Sequence, residues 1–270
     1  MSGQNKATAI VLAGRRDGSI DPLAEAHGVA DKCLVPVLGM PCIEHVLKAL
    51  EAAPEIGQII ISINDPAILA GLSTADRLMS QDRLTALRAE RNLAESVLAA
   101  AAAAQFPLLV TTADNVLMTP DSIALMVSGA GKADAAAAFA RKADILAAHP
   151  EGQRRFYEFA DDGYSNCNTY WIARPEVLRV VEICREGGQF AKNPRRVIAA
   201  FGLINTLMFR QGWLSLTAAL KRVSRRMKLE LVPVVMADGS YAIDVDNERT
   251  HMCASQIMAR RIGAATGAGQ

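Results

Sequence analysis

Three groups of residues in this 270-residue chain have the types and spacing that phosphate chemistry requires. The first is Leu12-Ala13-Gly14-Arg15-Arg16, followed at some distance by Lys32. Glycine lets backbone amides approach a ligand closely, successive N–H groups form an anion nest, and arginine forks with a lysine point charge match phosphate oxygens. The same residues also read as an ordinary strand-to-loop turn with solvated arginines. The run is neither GxGxxG nor GxxxxGK[ST], so it is not a dinucleotide fingerprint or a P-loop. The second group is Thr111-Thr112-Ala113-Asp114-Asn115. A carboxylate directly after an apolar strand lies at a sheet rim, where it either caps the next turn or shares a divalent ion with phosphate oxygens. The third is Ala242-Ile-Asp244-Val-Asp246-Asn-Glu-Arg, in which alternation puts Asp244 and Asp246 on one side. Asp246 or Asn247 is also a candidate N-cap, but capping accounts for one of the two acids only.

The elements that must carry these groups are legible from hydrophobic pattern. Ala7–Ala13, Gln58–Ile63 and Pro107–Thr112 are continuous apolar runs of the kind buried on both faces of a parallel sheet. A polar loop runs from Gly14 to Asp31, and loops of that length are usually functional. Cys33–Leu38 reads as extended, and Pro41 as the first-turn proline of a helix. A helix from about Leu93 to Gln105 precedes the third strand. Thr119-Pro120-Asp121 starts another with a good cap, and Asp134–Ala140 is a fourth apolar strand. This alternation predicts a doubly wound α/β sheet with its ligands at the carboxyl ends of the strands.

After Arg154 the pattern changes. Phe156–Ala160 and Cys167–Ala173 read as strands around the turn Asp161-Asp162-Gly163. Helices follow from Arg174 to about Arg185, Pro194 to Arg210 and Ser215 to Lys228; then come a strand at Leu229–Val235 and a final helix after Asp246. The expectation is a single domain over 1–270, with a nucleotide-binding half (about 1–140) and an acceptor-side half (about 141–270).

Composition narrows the function classes. With 51% hydrophobic residues and 21% charged, the chain can bury a full core without staples. Its formal net charge of +1 and 5% aromatic content argue against a nucleic-acid partner. Five scattered cysteines without CxxC argue for a reducing compartment. Four histidines without HxxxH or HExxH spacing argue against a histidine-built metal site. The longest uncharged stretch, Ser96–Ala113, is divided by Pro107, whereas a membrane span needs about 20 mainly apolar residues in one element. The expected location is cytoplasmic.

The strand ending Leu-Ala-Gly14, the basic loop, and Asp31-Lys32-Cys-Leu-Val-Pro-Val-Leu-Gly39-Met-Pro41 resemble the NTP transferase family of MobA-like proteins. Their pattern runs LAGG…R…PK…L…G.P.I. The resemblance extends to Glu95-Ser96-Val97, to Thr112-Ala113-Asp114 and to Ile243-Asp-Val-Asp246. It implies a Rossmann-like, GT-A-type mixed sheet, mainly parallel and flanked by helices, with acceptor-side elaboration. It also implies a reaction in which an acceptor oxygen attacks the α-phosphorus of an NTP and pyrophosphate leaves. On that reading Lys32, Arg15 and Arg16 stabilise the phosphates, and Leu12, Ala13, Gly14, Ser96 and Asp114 bind the nucleotide. Asp114 and Asp246 would hold Mg2+. The chain departs from the pattern at Arg15, which replaces the second glycine; its loop to Lys32 is longer and lacks the RMG tripeptide, and Asn247-Glu-Arg-Thr replaces TPED.

Asn166-Cys-Asn168-Thr169 is similar to the GNTG-like strand that lies against the acceptor in sugar-phosphate relatives, so Asn166, Asn168 and Thr169 are the candidate acceptor contacts. That likeness to polyol- and sugar-phosphate members favours CTP. Basic clusters at Lys192–Arg196 and Lys221–Lys228 are either solvated faces or a surface for an anionic acceptor or membrane. The apolar helix Val197–Phe209 packs in the domain or in a homodimer. Two alternatives stand beside the leading reading: a non-catalytic nucleotide-binding regulator, and a GT-A glycosyltransferase using a nucleotide sugar.

Overall fold

The computed structural model describes residues 6–15, 21–183 and 211–267. In chain order, β1 (Ala7–Leu12) leads through α1 (Pro22–Ala26) and a single 3-10 turn at Lys32–Leu34 to a small ribbon, β2 (Pro36–Val37) and β3 (Met40–Pro41). There follow α2 (Cys42–Ala52), β4 (Ile56–Ile63), α3 (Ser73–Ser80), β5 (Leu84–Arg88), α4 (Leu93–Ala102) and β6 (Leu108–Thr112). Next come α5 (Pro120–Ala130), β7 (Ala135–Arg141), α6 (Lys142–Ala148), β8 (Tyr157–Glu158), β9 (Gly163–Ile172) and α7 (Leu178–Ile183). The last elements are α8 (Leu216–Met227), β10 (Leu231–Met236) and α9 (Glu248–Gly267).

The main sheet has the order β10-β7-β9-β6-β1-β4-β5, with β8 paired to β9. β1 pairs in parallel with β4 and β6, β4 with β5, and β10 with β7. β9 runs antiparallel between β6 and β7, so the sheet is mixed and mainly parallel, as the family resemblance implies. Successive residues of each central strand face opposite sides. Accordingly Ala9 and Val11 join one apolar layer and Ile10 the other; Ile59 and Ile61 oppose Ile60, and Leu109 opposes Leu108 and Val110. Fully burying one such isoleucine is worth about 1.5–3 kcal/mol, so this double layer anchors the strand ends.

Four elements were not foreseen. The polar loop after β1 contains α1, started by Asp21, whose carboxylate caps Leu23 and Ala24 ahead of the first-turn Pro22. β5 is an edge strand with a mixed pattern and gives no continuous apolar run. The helices α3 and α6 are short. Two boundaries also shift: β9 begins at Gly163, and the strand expected over 156–160 reduces to β8. Pro41 pairs in the β2–β3 ribbon and stands at the N-cap of α2. The ribbon turns on Leu38 and Gly39, both at positive φ (49° and 80°), as a two-residue hairpin needs. Arg16, Lys192–Arg196 and the helix expected over 194–210 lie outside the described residues. No described helix is long and apolar enough to cross a membrane.

Candidate active site

Parallel pairing carries the ends of β1 and β6 to one rim, with Leu12 beside Thr112 and the Ala113 N–H donating to the Leu12 carbonyl at 3.0 Å. The C-terminal acidic segment is laced to the same rim, because the Val245 N–H donates to the Asp114 carbonyl at 3.1 Å. Asn247 resolves the capping question: its side chain, not that of Asp246, accepts from the Thr250 N–H, at 3.2 Å.

Lys32 closes the arrangement. Its Nζ lies 2.6 Å from Asp114 Oδ2 and 2.5 Å from Asp246 Oδ1. Burial works against the ammonium charge, but the attraction of Asp114 and Asp246 outweighs it and raises the lysine pKa. Asp244 sits behind them. Burial, reinforced by the negative charges of Asp114 and Asp246, holds its carboxyl well above the usual carboxylate range. Lys32 and an Asn168 Nδ2–H···Oδ2 bond of 2.5 Å act in the opposite direction.

The donor set suits a hard divalent cation. Asp114 Oδ1 and Asp244 Oδ1 are buried without a hydrogen-bond partner, and Asp246 is largely exposed at the mouth. Unsatisfied buried carboxylate oxygens are costly, and oxygen ligands of this kind fit Mg2+.

The glycine loop is built more by packing than by anion geometry. A Cβ on Gly14 would come within 2.8 Å of the Ala89 side chain, so the turn after β1 passes too close for any other residue. The Ala13 N–H donates to the Ser62 carbonyl at 2.8 Å, and the Arg15 N–H to Asn64 Oδ1 at 2.6 Å. Of these three amides, only the Gly14 N–H lacks a partner among the described residues. Arg15 lies 3.7 Å from the buried Asp31, beside Lys32, with its guanidinium half exposed. Ser96 is buried, and its hydroxyl accepts from the Glu90 N–H at 2.9 Å, ordering the loop after β5.

On β9 the three acceptor candidates diverge. Register slips between Ala137 and Phe139 of β7, opposite a left-handed Asn168 (φ 46°). Such a bulge re-aims side chains. It turns Asn168 onto Asp244. Asn166 instead accepts from the Asn168 N–H at 2.9 Å and donates to the Tyr170 hydroxyl. Thr169 points inward, buried, donating to the Cys167 carbonyl and lying 3.3 Å from Asn115 Nδ2. Strict alternation does not anticipate this division.

Beside the acids opens a cavity of about 550 Å3, lined by Arg154, Arg155, Arg249, Asp244 and Asp246 among others. Sequence reasoning missed these arginines, as well as Asn64. They come from a loop and a helix start far apart in the chain, and Asn64 acts only through its carboxamide on a distant amide. On α8 Lys221, Arg225 and Arg226 lie exposed, as does Lys228 at its C-cap.

The chain belongs to the family described as the MobA-like NTP transferase domain, which it matches over residues 9–229. Solved structures share the fold over nearly the whole chain. A hypothetical transferase from Thermus thermophilus has a TM-score of 0.75 at 24% identity, covering 91% of this chain and 99% of its own. A CMP:2-keto-3-deoxy-manno-octonic acid synthetase complexed with CTP has a TM-score of 0.55 at 12% identity, covering 95% and 100%. A 4-diphosphocytidyl-2C-methyl-D-erythritol synthase has 0.56 at 11%, covering 94% and 99%. No curated protein matches the chain. The family match ends before Asp244 and Asp246, which join the rim through the fold.

Proposed function

We propose that this chain is a Mg2+-dependent nucleotidyltransferase that moves an NMP group from an NTP, CTP first among them, to a small anionic acceptor such as a sugar- or polyol-phosphate. The observation that carries the reading is Lys32 held between Asp114 and Asp246, beside two orphaned carboxylate oxygens, at the shared rim of β1 and β6. That a structure of the same fold is complexed with CTP supports testing CTP first.

In the reaction an acceptor oxygen forms a bond to the α-phosphorus while the bond from that phosphorus to the pyrophosphate breaks in line. Such a displacement asks for positioning and charge neutralisation more than for acid–base chemistry. Lys32 brings a fixed positive charge to the phosphates, Arg15 would flank them, Arg16 is the second arginine proposed for them from its place in the sequence, and the free Gly14 N–H is a donor at the rim. Asp114 and Asp246, with Asp244 behind, are the residues that would hold Mg2+, which supplies further neutralisation of phosphate charge when bound. Arg154, Arg155 and Arg249 face the cavity next to these acids and would orient the anionic group of the acceptor. Asn168 would hold Asp244 in place.

Pyrophosphate release measured with CTP, GTP, UTP and ATP against a panel of phosphorylated sugars and polyols tests the reading. Turnover with one nucleotide, lost in Lys32→Ala, is expected. Saturable nucleotide binding with no pyrophosphate released by any pair would replace it with a non-catalytic nucleotide-binding role.

A further inference from the structure

Outside that rim, α1 and α9 bring together two imidazoles and a carboxylate. His27 stands at the C-cap of α1, and Glu248 and His251 lie three residues apart in the first turn of α9, on one helical face. The His27 and His251 rings are 4.6 Å apart, centroid to centroid, and tilted by 53°. His27 Nε2 lies 3.5 Å from Glu248 Oε1, but it is shielded from solvent and makes no hydrogen bond. One ligand atom from each of the three residues falls within 4.8 Å of the others.

His251 adds an independent sign. Its Nε2 lies 2.8 Å from the Pro36 carbonyl. A carbonyl only accepts, so Nε2 carries a hydrogen, and in the neutral ring Nδ1 then holds the lone pair. Metal-binding histidines are commonly held in this way, donating the second ring nitrogen to a backbone carbonyl. A tetrahedral zinc site with bonds near 2.0–2.1 Å sets its ligand atoms roughly 3.4 Å apart, so closing the cluster takes about an ångström of side-chain adjustment. Two imidazoles with one carboxylate select ions of the Zn2+, Co2+ or Ni2+ class over Mg2+.

We propose that His27, Glu248 and His251 form a binding site for a divalent transition-metal ion of the Zn2+ class, distinct from the acidic rim. Occupied, it pins α1, within the loop that joins Arg15 to Lys32, against the helix that begins just after Asp246. Three protein ligands leave one coordination position open to water.

The test uses the full chain without an affinity tag, stripped with chelator and kept in excess Mg2+. Calorimetric titration with ZnCl2 is expected to give one site in the wild type and in Asp114→Asn. His27→Gln and His251→Gln should each weaken that site at least tenfold while keeping the chelated protein's melting temperature. Co2+ should give the visible absorption of a four-coordinate ion in the wild type and in Asp114→Asn, and in neither histidine variant. Loss of zinc binding in Asp114→Asn with retention in the histidine variants would overturn the proposal, as would no zinc binding at all. Nucleotide transfer at the rim can stand or fall separately, since it requires none of these three side chains.

Discussion

The two sides of β6 assemble their chemistry differently. On the β1–β4 side, parallel strands buried on both faces end at a common level, so residues that follow each strand meet at one rim. On the β9–β7–β10 side, an antiparallel strand with a bulge presents its middle. Pairing of Val110 with Tyr170 brings Asn168 level with the end of β6, and the cavity is lined from a loop and a helix start. Charge on the first side is fixed by topology, while the recognition proposed for the second would come from a loop and a helix start. This division suits an enzyme with one constant substrate part, a triphosphate, and one variable part.

The sharpest way to break that comparison is Lys32→Ala. It removes a positive charge shared by Asp114 and Asp246, and kcat/KM should fall by about 10²–10³, comparable to the loss of a principal electrostatic donor. Steady-state pyrophosphate assays read the change, and an effect below tenfold would remove Lys32 from the phosphate site. Asn115→Ala cuts the link between the two sides. Buried Asn115 Nδ2 lies within hydrogen-bond reach of Thr111 Oγ1, the Cys167 carbonyl and Thr169 Oγ1. Losing this buried donor should cost about 1–3 kcal/mol in urea unfolding.

Arg155→Ala sharpens the contrast. Losing a hydrogen bond to a charged group should raise the acceptor KM about tenfold, while the nucleotide KM stays as it was. Equal changes in both constants would show that the cavity does not divide the substrates. The smallest effect concerns Asp134, whose carboxyl the Arg174 guanidinium holds below the usual range, with the Glu230 N–H contributing. A depressed carboxylate stabilises the fold above its unfolded pKa, about 3.9, and that stability is lost as pH falls through the folded value. The gap in unfolding midpoint between wild type and Arg174→Ala should therefore be open at pH 7 and close below about pH 3.

The comparison also explains what was legible in the sequence. β1, β4 and β6 announce themselves because both their faces are buried, and Asp114 is visible because it directly follows such a strand. Lys32 and Asp246 are marked by residue type and position, but their meeting depends on tertiary contacts that no spacing shows. β5 gave no signal, since an edge strand need not be continuously apolar. The cap and proline of α1, Asp21-Pro22, were present but overlooked within a polar loop. On β9 the bulge at Asn168 defeats alternation, which is why Asn166, Asn168 and Thr169 part company. His27 and His251 could not be paired by spacing, because the fold alone joins the two ends of the chain that carry them.

Thermal unfolding in the presence of Mg2+ and each of the four nucleotides, for wild type and Asp114→Ala, tests the central claim most directly. One nucleotide should raise the wild-type melting temperature clearly, and Asp114→Ala should lose most of the metal-dependent part of that gain. Equal shifts in both proteins would contradict the account and remove Asp114 from the metal and phosphate site.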